Sequence, residues 1–256
     1  MNNKENWAPS KFIYKDGKLR ASKDPAEVGI GSRLSTNLIA ACYDTYLKEY
    51  ARGKLLDLGC GKVPLYAAYK DYITENICVD WENTRHKNEY LDIECDLTKK
   101  LPFEESEFDT LILSDVLEHI PRPLELWWEM RRVLADRGKI ILNVPFYYCL
   151  HERPHDYYRY TEFALRNFAE STGFKVLLLK PTGGTLEILV DIVAKHLQFV
   201  PLIGEPLAIL KQYIAWKFNS TRLGKSIANR TAEAFPYGYF MVVEKMESYQ
   251  KDPHKS

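Results

Sequence analysis

Apolar side chains along this chain follow two rhythms. Between residues 54 and 145, short apolar runs at 54–58, 76–80, 108–113 and 139–144 alternate with helix-like stretches at 64–71 and 121–134. Runs that are continuous rather than alternating are what strands buried on both faces of a parallel sheet require. The βαβα order therefore predicts an α/β fold with an open, doubly wound sheet. Ahead of it, Leu34, Leu38, Ile39, Cys42, Tyr46 and Leu47 recur at helical spacing, which predicts a helix over 32–50. Behind it, Thr161 reads as the cap of a helix running to Ser171, Gly173 as its stop, and 174–180 as a further strand.

Two regions depart from this rhythm. Residues 1–31 mix charges with Trp7, Phe12 and Tyr14 and carry Pro9, Pro25, Gly29 and Gly31, which predicts an irregular arm. Residues 181–236 hold two or three helix-like stretches before a last strand at 239–244. The resulting division is an arm and helix at 1–50, a core at 51–180 with 237–246, and a helical insertion at 181–236. Leu186, Ile188, Leu189, Ile192, Val193 and Leu197, with Leu202, Ile203, Leu207, Leu210, Ile214 and Trp216, give the insertion more apolar surface than a simple return needs. A cap on its own domain, a homodimer interface, a groove for a lipid-linked substrate and peripheral membrane contact would each cover it.

Composition narrows the class. The 256 residues include 35 basic and 35 acidic side chains, so no positive field draws the chain to nucleic acid, and no nucleic-acid partner is expected. Cys42, Cys60, Cys78, Cys95 and Cys149 form neither a CxxC pair nor a disulfide ladder, as in a reducing compartment. With no apolar signal core at the start and no apolar run of membrane-spanning length, a cytoplasmic location is expected.

Candidate chemistry begins after the first parallel strand. Asp57-Leu58-Gly59-Cys60-Gly61 puts two glycines at a strand-to-helix turn, where backbone can approach a ligand closely. The next strand ends in Asp80, suited to accepting hydrogen bonds from both hydroxyls of a ribose, and Trp81 beside it offers an apolar face to a base. A dinucleotide fingerprint needs a third glycine where this chain has Pro64, which lacks the amide that a pyrophosphate would seek. A cofactor without phosphates fits better.

With these pieces the sequence resembles the class I S-adenosylmethionine-dependent methyltransferases of the small-molecule, type 11-like group, across about residues 33–180 and the last strand. The resemblance implies a Rossmann-like, mostly parallel sheet with an antiparallel last strand and S-adenosyl-L-methionine as cofactor. Asp57, Gly59, Cys60 and Gly61 would contact its methionine portion and Asp80 its ribose, while Asp96-Leu97 ahead of Leu101-Pro102-Phe103 resembles the adenine-binding step. The stretch from Phe108 to Ile120 resembles the fourth strand and its turn, which adds Ser114 and His119 to the cofactor wall. Around Pro145-Phe146 and His155-Asp156-Tyr157-Tyr158-Arg159-Tyr160-Thr161 the chain is similar to methyltransferases of surface-polysaccharide pathways, which implies a small-molecule or glycan-type acceptor.

Methyl transfer from a sulfonium is an in-line displacement that needs alignment above all, and a base only where the acceptor is a hydroxyl. His155 and Asp156 are the preferred base candidates, with His119 and His151 as rivals. Tyr147, Arg153, Tyr157 and Arg159 are candidates for holding the acceptor. His151-Glu152-Arg153-Pro154-His155 satisfies the HExxH pattern, but that pattern works only on a continuous helix, which Pro154 breaks. No metal is expected. A nicotinamide-dependent oxidoreductase, or a protein that binds S-adenosylmethionine without catalysis, are the competing readings.

Overall fold

The computed structural model describes residues 1–82 and 89–249. Seven strands form the central sheet: β3 (Lys54–Leu58), β4 (Glu75–Asp80), β5 (Ile93–Glu94), β6 (Phe108–Ser114), β7 (Leu134–Pro145), β8 (Phe174–Thr182) and β9 (Gly238–Lys245). Their order is β5-β4-β3-β6-β7-β9-β8. The pairs among β3 to β7 are parallel, and β9 runs antiparallel to both its neighbours, β7 and β8. Order reverses between β3 and β6, so a crevice opens beyond their carboxyl ends, where such sheets bind ligands.

Continuous apolar strands give the sheet two buried faces. Leu56, Leu111, Leu113, Ile140 and Leu142 point one way, against Trp127 and Met130 of α3 (Pro123–Val133) and Leu165 of α4 (Glu162–Ser171). Leu55, Ile112 and Ile141 point the other way, against Tyr43 and Leu47 of α1 (Arg33–Tyr50). The alternation is the period of two of a pleated strand, and helices on both sides make both of its faces largely apolar. Proline opens α3 at its first turn, and the Thr161 hydroxyl accepts from the Ala164 amide to cap α4. The helix expected over 64–71 is only the single turn α2 (Tyr66–Tyr69).

The arm is less irregular than its prolines predict. A hairpin, β1 (Phe12–Lys15) and β2 (Lys18–Ala21), turns at Asp16-Gly17, both with positive φ. An Asp-Gly pair between apolar residues is a strong hairpin signal, and here Phe12 and Leu19 supply the buried positions against α1. Lys11 and Ser10, just before it, reach the crevice.

The insertion forms three helices, α5 (Thr185–Leu197), α6 (Gly204–Ser220) and α7 (Arg222–Ala232). It docks on α1 through Gln212, which accepts from the Leu34 amide at 2.9 Å, and through buried Ile188, Ala194 and Ala208. It does not cover itself: Phe199 is 84% exposed and Leu202 98%, with Ile203, Leu210, Tyr213, Ile214 and Leu223 also exposed. A cap closed on its own domain therefore does not account for its apolar surplus. Among the described residues, no helix is long and apolar enough to cross a membrane.

Candidate active site

The crevice is a cavity of about 960 Å³. Its floor is the turn after β3. Gly59 adopts φ +71°, and a Cβ there would lie 2.6 Å from a methyl of Val116, so the turn tolerates no side chain. The amides of Gly59 and Cys60 both donate to the Val79 carbonyl, at 2.9 and 3.0 Å, and the Gly61 amide donates to Asp80 Oδ2 at 2.9 Å. Asp80 Oδ1 accepts from the Trp81 amide at 2.9 Å, so the carboxylate is oriented by its own chain.

Asp57 is buried at the end of β3, with the Tyr69 hydroxyl 3.4 Å from Oδ2. Burial, and after it the nearby charge of Asp80, push its carboxyl up to about 7. Asp96 is the opposite case: the Thr98 hydroxyl and amide donate to Oδ1 at 2.7 and 2.9 Å and hold the carboxyl below its usual range. A hydrogen bond with Cys78 and burial raise the Cys60 thiol, which makes it a lining residue rather than a nucleophile. Leu97, Ser114 and His119 also line the cavity, and Trp81 stands at its rim with its ring edge-on to His155 at 5.0 Å.

The segment after β7 is irregular, and it separates the residues predicted from it. His151, Arg153, His155 and Tyr157 line the cavity. His155 Nδ1 lies 3.3 Å from the Tyr157 hydroxyl. Asp156 and Arg159 do not act as expected. The Arg159 guanidinium donates to both Asp156 oxygens, at 2.5 and 2.8 Å, and also to the Cys149 carbonyl at 3.1 Å. These bonds, joined by the His151 amide at 2.9 Å, hold Asp156 far below the carboxylate range, so it is no base at neutral pH. The pair braces the loop. Tyr147 also leaves the set, because its ring packs on Phe146 and Phe235 instead of lining the cavity. His151 and His155 share no helix, as the position of Pro154 predicts.

Several cavity residues have no sequence signal. Lys11 pairs with Asp115 Oδ2 at 2.7 Å, while the Asn143 amide donates to Oδ1 at 2.5 Å and Tyr43 to Asn143 Oδ1 at 2.6 Å. Burial pulls the Lys11 ammonium down, but Asp115 more than offsets this and leaves it above its ordinary value. Ser32, Ser35 and Thr36 of α1 and Tyr237 ahead of β9 complete the far wall. Behind His119 and His151, Glu118 is wholly buried.

The floor fits the implied cofactor. Asp57, Asp80 and Asp96 surround it, and Lys62 at the turn is already paired with Glu27 at 2.6 Å. Such an acidic wall suits a ligand carrying an ammonium and a sulfonium, and opposes a pyrophosphate.

Residues 56–142 match the family model described as a methyltransferase domain. An uncharacterized protein of Methanocaldococcus jannaschii is 27% identical over 157 residues, covering 55% of this chain and 58% of that one, so the match spans little more than half of that relative. Among solved structures, the [4+2]-cyclase SpnF is 15% identical with a TM-score of 0.55, over 83% of this chain and 84% of that chain. A SAM-dependent methyltransferase from Archaeoglobus fulgidus is 16% identical with a TM-score of 0.51, over 80% and 93%. An S-adenosylmethionine-dependent methyltransferase from Mesorhizobium loti is 12% identical with a TM-score of 0.52, over 83% and 100%. At these identities the likeness is one of fold, and the presence of a cyclase shows that fold alone does not set the reaction. The matched segment is the part of the sheet that carries the glycine turn and its acidic partners, and there the chain is similar to S-adenosylmethionine-dependent methyltransferases.

Proposed function

We propose that the protein transfers the methyl group of S-adenosylmethionine to a hydroxyl or carboxylate of a small-molecule or glycan-type acceptor. The observation that carries this reading is the continuity of one cavity. It joins Gly59, Gly61, Asp80 and Asp96 to the loop bearing His151, Arg153, His155 and Tyr157. Its volume of about 960 Å³ is at the upper end of small-molecule sites, which supports room for a second reactant beside a cofactor.

When bound, S-adenosylmethionine supplies an electrophilic methyl, whose bond to sulfur breaks with the electron pair left on sulfur as the acceptor oxygen bonds to carbon. The chain's own residues hold and align. Asp80 and Asp96 fix the nucleoside end, and Asp57 sits where a positive charge stabilises its ionised form. We take His155, edge-on to Trp81 and beside Tyr157, as the group that accepts the proton of a hydroxyl acceptor. A carboxylate acceptor would need no base. Arg153 and Tyr157 face the space left for it.

Calorimetry with S-adenosylhomocysteine tests the donor half. Binding is expected, weakened on the order of ten- to hundred-fold by Asp80→Ala through lost charge-assisted hydrogen bonds. No heat, or equal affinity in the variant, would remove the proposal. A radiolabelled-methyl screen over nucleotide sugars, lipid-linked sugars and small acids tests the acceptor half. In it, His155→Ala should keep cofactor binding and lose transfer to hydroxyls. Nicotinamide cofactors should give no heat, as Pro64 and the acidic floor predict.

A further inference from the structure

Glu118 presents a problem that hydrogen bonding within the chain does not solve. Its side chain is 0% exposed, and neither carboxylate oxygen has a hydrogen-bond partner. A carboxylate buried without hydrogen bonds has lost its hydration and received nothing in its place. Two imidazoles nevertheless turn toward it: Nε2 of His119 lies 3.8 Å from Oε1, and Nε2 of His151 lies 3.6 Å from the same atom. Both separations are too long for hydrogen bonds. The three groups leave a gap between them, and their ligand atoms all lie within 4.8 Å of one another.

We propose that Glu118, His119 and His151 bind a divalent first-row transition ion of the zinc class, with its remaining coordination positions open to the cavity. In a tetrahedral site with metal–ligand bonds of about 2.1 Å, ligand atoms stand roughly 3.4 Å apart, so the two Glu–His separations need to close by only a few tenths of an ångström. Two imidazoles and one carboxylate, without thiolate, select zinc, iron(II), cobalt or manganese over calcium and magnesium. The atoms facing away from the gap are already committed. Nδ1 of His119 is 2.7 Å from the His155 carbonyl oxygen, and Nδ1 of His151 is 3.3 Å from Asp156 Oδ2. Each imidazole can therefore donate outward and keep the lone pair of Nε2 for the ion, the outer arrangement that metal-bound histidines use. Asp156, clamped by Arg159, then does more than brace the loop: it fixes the tautomer and tilt of His151.

His119 and His151 line the cavity in front of Glu118, so an ion here would be reached from the acceptor side. Three protein ligands with open positions are the pattern of a site that takes a substrate oxygen rather than one that only holds the fold. That use rests on the methyltransferase reading; the site itself does not. It selects acceptors that offer the ion an oxygen, such as a hydroxy acid or a vicinal diol.

The test is direct metal binding. Full-length protein stripped with chelator and dialysed is titrated with Co²⁺, read by its ligand-field absorbance, and with Zn²⁺, read by elemental analysis after desalting. One ion per chain is expected. Glu118→Gln, His119→Gln and His151→Gln should each weaken binding on the order of a hundred-fold or more, and Asp156→Asn by about ten- to a hundred-fold. Thermal unfolding identifies any variant that fails to fold, and the remaining variants then carry the comparison. Less than about a tenth of an equivalent retained, or affinity unchanged across the folded variants, would overturn the site. S-adenosylhomocysteine calorimetry on the same samples separates the two proposals: metal bound without it strikes the methyltransferase reading alone, and it bound without metal strikes the metal site alone.

Discussion

Replacing Asp57 by Asn removes a carboxyl that the fold keeps protonated to near neutrality. In the native state burial, then the charge of Asp80, raise this carboxyl from 3.8 to about 7, whereas the unfolded chain retains the lower value. A group raised on folding contributes stability in full below its unfolded value and loses it as pH rises through its folded value. The window therefore runs from about pH 4 to about pH 7. At about 1.4 kcal/mol per unit, a shift of roughly three units amounts to about 4 kcal/mol, a large fraction of a typical domain's stability. Asn keeps the shape and does not titrate. Urea unfolding of the ligand-free wild type and Asp57→Asn, at intervals from pH 4.5 to 8.5, should show the wild type losing about 3 to 4 kcal/mol more than the variant. Groups titrating in both proteins cancel in that difference. A second readout follows from the same charge: an ammonium near Asp57 favours the carboxylate, so binding of S-adenosylhomocysteine, which carries an α-ammonium, should release a proton near pH 6 in the wild type and none in the variant. Calorimetry in two buffers of different ionisation enthalpy measures it. A difference flat to within about 0.5 kcal/mol over the whole range, with no proton released, would refute the account of Asp57.

Three further outcomes follow from the geometry. Gly59→Ala forces a Cβ onto Val116 at positive φ and should cost about 1–3 kcal/mol of stability while weakening S-adenosylhomocysteine binding; an unchanged Tm and affinity would contradict the close approach. Arg159→Lys loses the two-pronged grip on Asp156 and should raise amide hydrogen exchange across 149–158 on the order of ten-fold, whereas unchanged protection would mean that the brace is redundant. Sedimentation at micromolar concentration should show self-association through α6 and the turn before it, lost when Leu202 and Leu210 are both changed to Asp. A monomer throughout would rule out a homotypic contact, and liposome flotation of the same sample would then decide whether lipid covers that face.

Much of the core was legible because its strands are buried on both faces. Leu55-Leu56 and Leu111-Ile112-Leu113 cannot alternate with polar residues when helices cover both sides, so burial itself writes the run. The cofactor floor was legible for a related reason. Close backbone approach demands Gly59, and Asp80 must stand where the second parallel strand ends, so local chain geometry fixes both. The acceptor side was not legible in this way. Lys11 meets Asp115 from 104 residues away, and Glu118 meets His151 across two separate loops. No local spacing records such encounters. Asp156 misled because a carboxylate beside a histidine reads as a base until Arg159 is seen to hold both of its oxygens. The hairpin at 12–21 was written plainly in Asp16-Gly17 and was obscured by the prolines around it.

The place of β9 bears on how the molecule is made. It is the last strand among the described residues, yet it lies inside the sheet, between β7 and β8. A nascent chain therefore has every other strand of the sheet synthesised before residue 238 exists. Until then β7 and β8 each carry an open edge of unpaired amides and carbonyls that would pair with any strand offered. The final eight residues of the sheet bond both edges in one step. A frameshift, stop or protease cut ahead of that strand leaves two sticky edges where a smaller working domain would otherwise stand, and quality control would clear it as a misfolded chain.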